Sequence, residues 1–305
     1  MVKKVDRKRI LALLILILIM IVSAIIYWKY LTPSVKVLRV STTTSLYATG
    51  LLDFLADEFK KMRPNVVIQF IAVGSGAALK LAEKGDVDMV FVHAPNLEKE
   101  YIEEGILING TIFAYNNFII VGSVNDPANI SNCDPVEAMR RIYETGEAGK
   151  ALFVSRGDNS GTHQRELLLW RLAELNATGK SWYIETGSGM SETLLVANEK
   201  DAYTLTDTGT YLKLKRENKL PNLETLVDEG FVLLNIYSAY IVNPDVHPHV
   251  KYDLAMDFLL FVISNEGQEL IGSYGVEEFG VPLFYPAKGK ENDLYSAWLW
   301  FANQP

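Results

Sequence analysis

Strand patterns and helix patterns alternate along most of this chain, and each strand runs into a short loop of glycines and hydroxyls. VLRVS leads into TTTS, and a helical pattern follows over Leu46 to Met62, apolar at 51, 52, 55, 56, 59 and 62. VVIQFIAVG leads into GSG and the short helix AALKLAEKG, and VDMVFVHAP leads into LEKEYIEEG. Such alternation predicts an α/β fold with a parallel sheet. Beyond residue 123 the pattern restarts with PVEAMRRIYETGE, ALFVS, SRGDNSGT and THQRELLLWRLAEL, then WYIETGSGM, SETLLVANEK, AYTLTD and TGTYLKLKREN. Two long strand-like runs, 112–123 and 231–243, separate the two units. A chain that leaves one unit along the first run and returns along the second makes two lobes around a hinged cleft. The expected division is lobe 1 at 36–118, lobe 2 at 119–234, a return segment of lobe 1 at 235–290 and an aromatic tail at 291–305.

Ligands of open α/β sheets sit beyond the carboxyl ends of the strands, so TTTS, GSG, SRGDNSGT, GSGM and YTLTD are expected to line one cleft. Hydroxyls donate to an oxyanion, and glycines let backbone N–H groups approach it. The start of a helix adds unpaired donors and a partial positive charge. One such loop is usually a plain helix cap; four in a two-lobed pattern point to an anion. Arg156 is the sharpest single residue, because a guanidinium stays charged and forks two N–H bonds onto an oxyanion. Its bland alternative is an ion pair with Asp158. Asp158 is placed behind the arginine or at the cap of the following helix, since an ionised carboxylate facing a dianion would repel it. The candidate ligand-binding residues are Thr43, Thr44, Ser45, Ser75, Arg156, Ser160 and Thr162, with Gly76, Gly161, Ser188 and Thr204 beside them.

Catalysis needs more than this. Ser160 and His163 are neighbours across a helix start, but GDNSG is not a nucleophile elbow and no third orienting group is evident. An anchored hydrolase using this pair remains the alternative from another class. His93 is expected to pack or bond locally, and His247 and His249 have no clustered acid that would make a metal site. The single cysteine, Cys133, excludes an internal disulfide and a thiolate cluster. A net charge of -8 argues against nucleic acid. No cofactor is expected.

The amino terminus carries Lys3, Lys4, Arg7, Lys8 and Arg9, and Ile10 to Tyr27 is then apolar apart from Ser23. A helix of that length just spans a bilayer, and the basic cluster should stay in the cytoplasm. The expectation is a transmembrane anchor within 1–35, single-pass, with the globular part outside; a cleaved signal peptide ending near Val22-Ser23-Ala24 is the alternative. Three sequons, at Asn109, Asn129 and Asn176, agree with an outside location. Only nine residues precede the apolar run, too few for a cytoplasmic output domain, so a sensor ectodomain ranks last.

Several stretches together resemble the tungstate-binding proteins of ABC importers, a branch of the two-lobed periplasmic-type binding proteins. They are STTTS at 41–45, VGSGAAL at 73–79, GDVDMVFVHAP at 85–95, AYNNFIIVG at 114–122, FVSRGDNSGTH at 153–163, WYIETGSGM at 182–190 and AYTLTDTGTYL at 202–212. VHAP with SRGD-x-SGTH is the specific part; phosphate-binding relatives look similar at R-x-D-x-S-G-T. The resemblance covers residues 38–287 and implies a type II binding-protein fold. It also implies capture of tungstate outside the cell and delivery to ABC permease subunits. Ser45 with its threonine neighbours and Ser75 would hold the ion from lobe 1; Arg156, Ser160, Thr162 and backbone N–H groups near Ser188 would hold it from lobe 2. Relatives often carry basic residues before the YN(D/N)F strand, where this chain reads NGTIF. Molybdate, sulfate or phosphate in the same cleft are the alternatives within the class.

Overall fold

A computed structural model of the chain describes residues 7–31 and 35–304. Helix α1 (Arg7–Leu31) comes first, and its side chains from Leu11 to Ala24 are all exposed. Among the described residues no helix is long and apolar enough to cross a membrane.

The first unit runs β1 (Lys36–Thr43), α2 (Thr44–Thr49), α3 (Leu51–Met62), β2 (Val66–Val73), α4 (Ser75–Glu83), β3 (Met89–Val92) and α5 (Pro95–Glu103). The sequence predicts one helix from Leu46 to Met62; the structure has two, broken at Gly50, whose φ is 87°. A Cβ there would lie 2.6 Å from the Tyr274 hydroxyl, which donates to Thr49 O at 2.8 Å. The break turns α2 so that its first residues, Thr44 and Ser45, follow directly from β1. Next come β4 (Leu107–Ser123), α6 (Pro135–Glu147), β5 (Phe153–Ser155), α7 (Gly161–Leu172), β6 (Tyr183–Glu185), α8 (Met190–Glu199), β7 (Thr204–Asp207), α9 (Thr208–Arg216) and β8 (Leu223–Val227). The chain closes with β9 (Leu234–Val242), α10 (Tyr252–Ile263), α11 (Asn265–Ser273), α12 (Val276–Phe279), β10 (Tyr285–Pro286) and α13 (Glu291–Ala302). The apolar pattern over 252–275 reads as one long helix in sequence, but it forms two, because Ser264 caps a new one by accepting from Gly267 N at 3.1 Å.

β1 pairs in parallel with β2 and β3, and β9 runs antiparallel between β3 and β4, giving the order β10-β4-β9-β3-β1-β2. β4 changes partners along its length. Leu107 to Asn117 pairs with β9, whereas Phe118 to Ser123 pairs with β7 and β8. One strand is thus built into two units. Each unit has its own core. Leu38, Val40, Phe91, Phe113, Tyr237 and Phe258 belong to one, and Phe118, Met139, Phe153, Trp170 and Tyr203 to the other.

The aromatic tail is α13. Trp298, Phe301 and Ala297 pack with Ile236, Ala287 and Leu168 into a further apolar cluster, and Trp298 Nε1 donates to buried Glu98 at 2.8 Å.

Candidate functional site

The loop after β1 is held by its own cap. Thr43 Oγ1 accepts from Leu46 N at 3.3 Å, so the side chain that ends the strand also starts α2. Thr42, Thr43 and Ser45 are all buried. Across from them Ser160 caps α7, its Oγ accepting from His163 N at 3.3 Å. The turn before it is closed by Asp158, whose Oδ1 accepts from Ser160 N at 3.1 Å. Asp158 therefore lies two residues before the helix cap the sequence allowed for it, and Ser160 takes that place. The other Asp158 oxygen takes Arg156 Nη2 at 2.6 Å, which fixes the guanidinium.

The two units meet at these loops. Arg156 Nη2 also donates to Thr44 Oγ1 at 3.0 Å, and Gly161 N donates to Ser75 Oγ at 3.1 Å. A Cβ on Gly76 would lie 2.6 Å from Asn159 Nδ2, and one on Gly189 would lie 3.9 Å from Thr44 Oγ1. Thr44, Ser75, Gly76, Arg156, Gly161 and the start of α8 thus surround one small region. The starts of α4, α7 and α8 all face it. Ser188 lies beside it, with its hydroxyl donating to Thr186 O at 3.2 Å. Thr204 is not brought there. It begins β7 opposite Val121, and the residue at the cleft end of that strand is Asp207, which caps α9 through Thr210 N at 2.8 Å.

Arg156 is only 2% exposed, yet its Nε and Nη1 are buried with no protein acceptor among the described residues. The hydroxyls of Thr42 and Thr162 are buried in the same condition. A buried donor left unanswered costs about 1–3 kcal/mol, and more on a charged group. The donor set here is one fixed cation, several hydroxyls and three helix starts, which is the chemistry of an oxyanion. The nearby carboxylates are already engaged, Asp158 by Arg156 and Ser160 N, Asp207 by Thr210 N and its hydroxyl. Burial raises the Asp207 pKa, while the Arg156 charge works against that rise. The basic residues missing from NGTIF leave Arg156 as the one side-chain cation in this set, and the helix starts supply the rest of the positive field.

Sequence reasoning expected His93 to pack or bond locally, and it does stack on Phe118 and Tyr237, but its place beside the site was not foreseen. It is buried beside Ser45, with Nε2 at 3.5 Å from that hydroxyl. Burial, reinforced by the charges of Arg156 and Arg165, lowers its pKa to about 4 against the opposing bond to Asn235, so the ring is neutral. Also missed were the outer ties between the units: Asn96 Nδ2 donating to Gln164 at 2.9 Å and Lys213 Nζ donating to Ala48 O at 2.7 Å. His163 does not face Ser160 as a base would. Its Nδ1 accepts from Asn159 N at 3.0 Å, and the Ser160 oxygen is occupied as the cap.

Two α/β lobes, joined by a strand built into both and meeting at a buried set of oxyanion donors, define a two-lobed binding protein. The PBP superfamily domain matches residues 32–266. The chain is 38% identical over 253 residues to the tungstate-binding protein TupA of Peptoclostridium acidaminophilum, covering 82% of this chain and 85% of that one. It is 36% identical over 238 residues to TupA of Campylobacter jejuni, covering 77% and 86%. The crystal structure of the tungstate ABC transporter from Geobacter sulfurreducens matches with a TM-score of 0.71 at 45% identity, covering 79% of this chain and 100% of that one. The chain belongs to this family, the tungstate-binding proteins within the PBP superfamily.

Proposed function

We propose that the chain is the extracytoplasmic binding component of an ABC importer, that it captures tungstate, and that it hands the ion to a membrane permease. The observation that carries this reading is Arg156, whose Nε and Nη1 are buried without a protein acceptor between walls of hydroxyls and helix starts. Thr43, Thr44, Ser45 and Ser75 hold the ion from lobe 1. Arg156, Ser160, Thr162, Gly161 and the backbone near Ser188 hold it from lobe 2. Asp158 and Asp207 each have both oxygens bonded to protein donors, so the groups left facing the cleft are mostly donors. That favours a fully deprotonated dianion over phosphate, which keeps a proton near neutral pH. Contacts from both walls exist together only when the cleft is shut, so the ion stabilises the shut form, and that form docks on the permease. The lobe limits are proposed at 36–118 with 235–290, and at 119–234; the change of partners in β4 between Asn117 and Phe118 supports them.

The apolar run from Ile10 to Tyr27 and the basic residues before it support a single-pass anchor with the globular part outside the cytoplasm. In α1 the run is apolar all round and exposed from Leu11 to Ala24, the condition of a helix that meets lipid.

Calorimetric titration of the full chain in detergent with tungstate, molybdate, sulfate and phosphate tests the ligand. Tight binding of tungstate is expected. Phosphate or sulfate binding in its place moves the substrate within the fold, and no binding of any of the four overturns the reading.

A further inference from the structure

One buried ring touches both walls of the cleft, the strand that crosses between the lobes, and β9, on which the chain re-enters the first lobe. His93 follows β3 and is 2% exposed. It stacks on Tyr237 of β9 at 5.0 Å and 19°, and on Phe118 of β4 at 5.9 Å and 25°. Beneath it, Asn116 of β4 and Asn235 of β9 are direct partners in the antiparallel register, and both are buried.

The direction of the bonds in this set follows from counting donors. Asn235 Nδ2 donates one hydrogen to Asn116 Oδ1 at 2.9 Å and the other to the Tyr237 oxygen at 2.7 Å. Asn116 Nδ2 is turned the other way, donating to Leu283 O at 3.2 Å. Asn235 Oδ1 is then left to accept, and His93 Nδ1 lies 2.8 Å from it. His93 Nδ1 therefore carries the hydrogen, and Nε2 presents a lone pair toward Ser45 Oγ at 3.5 Å. The ring meets the opposite wall as well. Gly161, the first residue of α7, lies so close that a Cβ on it would come within 2.7 Å of His93 O and 2.9 Å of two ring carbons. Gly161 N is the donor that reaches Ser75.

We propose that His93 is a positioning residue that ties oxyanion capture to the hinge: the Asn116–Asn235 pair of β4 and β9 fixes its ring, and the ring seats both the Ser45 hydroxyl and the first turn of α7. The inference rests on the oxyanion reading of the cleft. It goes beyond it by giving a role to a side chain that need not touch the ion. When the lobes rotate, β4 and β9 bend, and the amide pair moves with them. The ring follows, and with it the two groups that stand on opposite sides of the ion. A ring that merely fills space would do none of this, and an aromatic ring of similar size would replace it.

The test uses the full chain in detergent, with tungstate as the probe. His93→Phe keeps the stacked ring and removes both nitrogens; Asn235→Leu leaves the imidazole and removes its acceptor. Each is expected to weaken tungstate binding by about tenfold or more, with the melting temperature measured without tungstate little changed for His93→Phe. The double variant is expected to be no weaker than the worse single one, because both cut the same chain of bonds. In nitrogen-detected NMR the His93 ring of the wild type is expected in the Nδ1–H form, and Asn235→Leu is expected to lose that fixed tautomer. Unchanged affinity in His93→Phe, or losses that add in the double variant, would overturn the inference. If His93→Phe does not fold, Asn235→Leu decides it: unaltered affinity together with an unaltered tautomer sinks the proposal. Failure of the wild type to bind any oxyanion removes the cleft reading itself, whereas wild-type binding with indifferent variants removes only the role of His93.

Discussion

The two walls of the cleft are built from different materials. The wall of the first lobe is neutral, with Thr42 to Ser45 at the end of β1 and Ser75 at the start of α4. The wall of the second lobe carries the charge, with Arg156 held by Asp158 at 2.6 Å and α7 starting at Gly161. The difference teaches a division of labour. A charged group attracts an anion over distance and repays desolvation only when paired. Neutral hydroxyls add little at long range, but their count and placement select shape once the gap closes. The second wall should therefore govern whether an anion stays at all, and the first how well it is enclosed.

That comparison breaks or sharpens under substitution. Arg156→Ala removes two charge-assisted donors at once and should weaken tungstate binding by roughly 100-fold or more, read by calorimetry. A loss of less than about tenfold would mean that the helix starts carry the second wall without the guanidinium. Gly161→Ala comes next. Its Cβ would meet the backbone oxygen of His93 at 2.7 Å, which a side-chain rotation cannot relieve, so the lobes should be held apart. The expected result is affinity down about tenfold and a larger radius of gyration by X-ray scattering with tungstate present. Ser75→Ala should cost less, about three- to tenfold, because it removes one neutral acceptor for Gly161 N. If it costs more than Arg156→Ala, the division of labour is wrong.

The last comparison concerns stability rather than affinity, and again there is one group behind each wall. His93, behind the first, has its pKa lowered from 6.5 to about 4, chiefly by burial. The unfolded chain binds the extra proton between those values, so this stabilisation is full above 6.5 and is lost as pH falls toward 4. Glu166, behind the second wall, has its pKa raised from 4.5 to about 7, again chiefly by burial. Its contribution is full below 4.5 and is lost as pH rises through 7. Across the shared window the two slopes oppose each other, each worth about 3 kcal/mol at full extent. Glu166→Gln should expose the slope of His93, with a melting temperature that climbs from pH 4.5 to 6.5 more steeply than that of the wild type. An unchanged profile would mean that one of the two groups titrates normally.

Much of the fold and part of the site were legible in the sequence, for local reasons. A hydroxyl before a helix is a cap wherever the helix lies, so Thr43 and Ser160 could be placed without tertiary knowledge. The crossings showed as apolar runs too long for an ordinary strand. What could not be read depends on partners distant in sequence. Gly50 breaks a good helical pattern because Tyr274 stands where a Cβ would be. Thr204 is grouped with the site in sequence because YTLTD is placed at the carboxyl end of a strand, but Thr204 begins β7 and Asp207 ends it. Asn96 with Gln164, and Lys213 with Ala48, meet only after the lobes have docked. The role of α13 was hidden for the same reason, since Glu98 accepts from Trp298 across 200 residues.

The position of β9 also bears on how the chain comes off the ribosome. The second core draws on residues from Phe118 to Leu233 and is complete once they have emerged. The first cannot close until β9 slides between β3 and β4, which happens only after Val242 is made. At about 5–20 residues per second, β4 waits of order ten seconds for that neighbour. During this interval two strand edges stand open, a template for pairing with another nascent chain. The segment of the binding domain that is born first is the last to be finished.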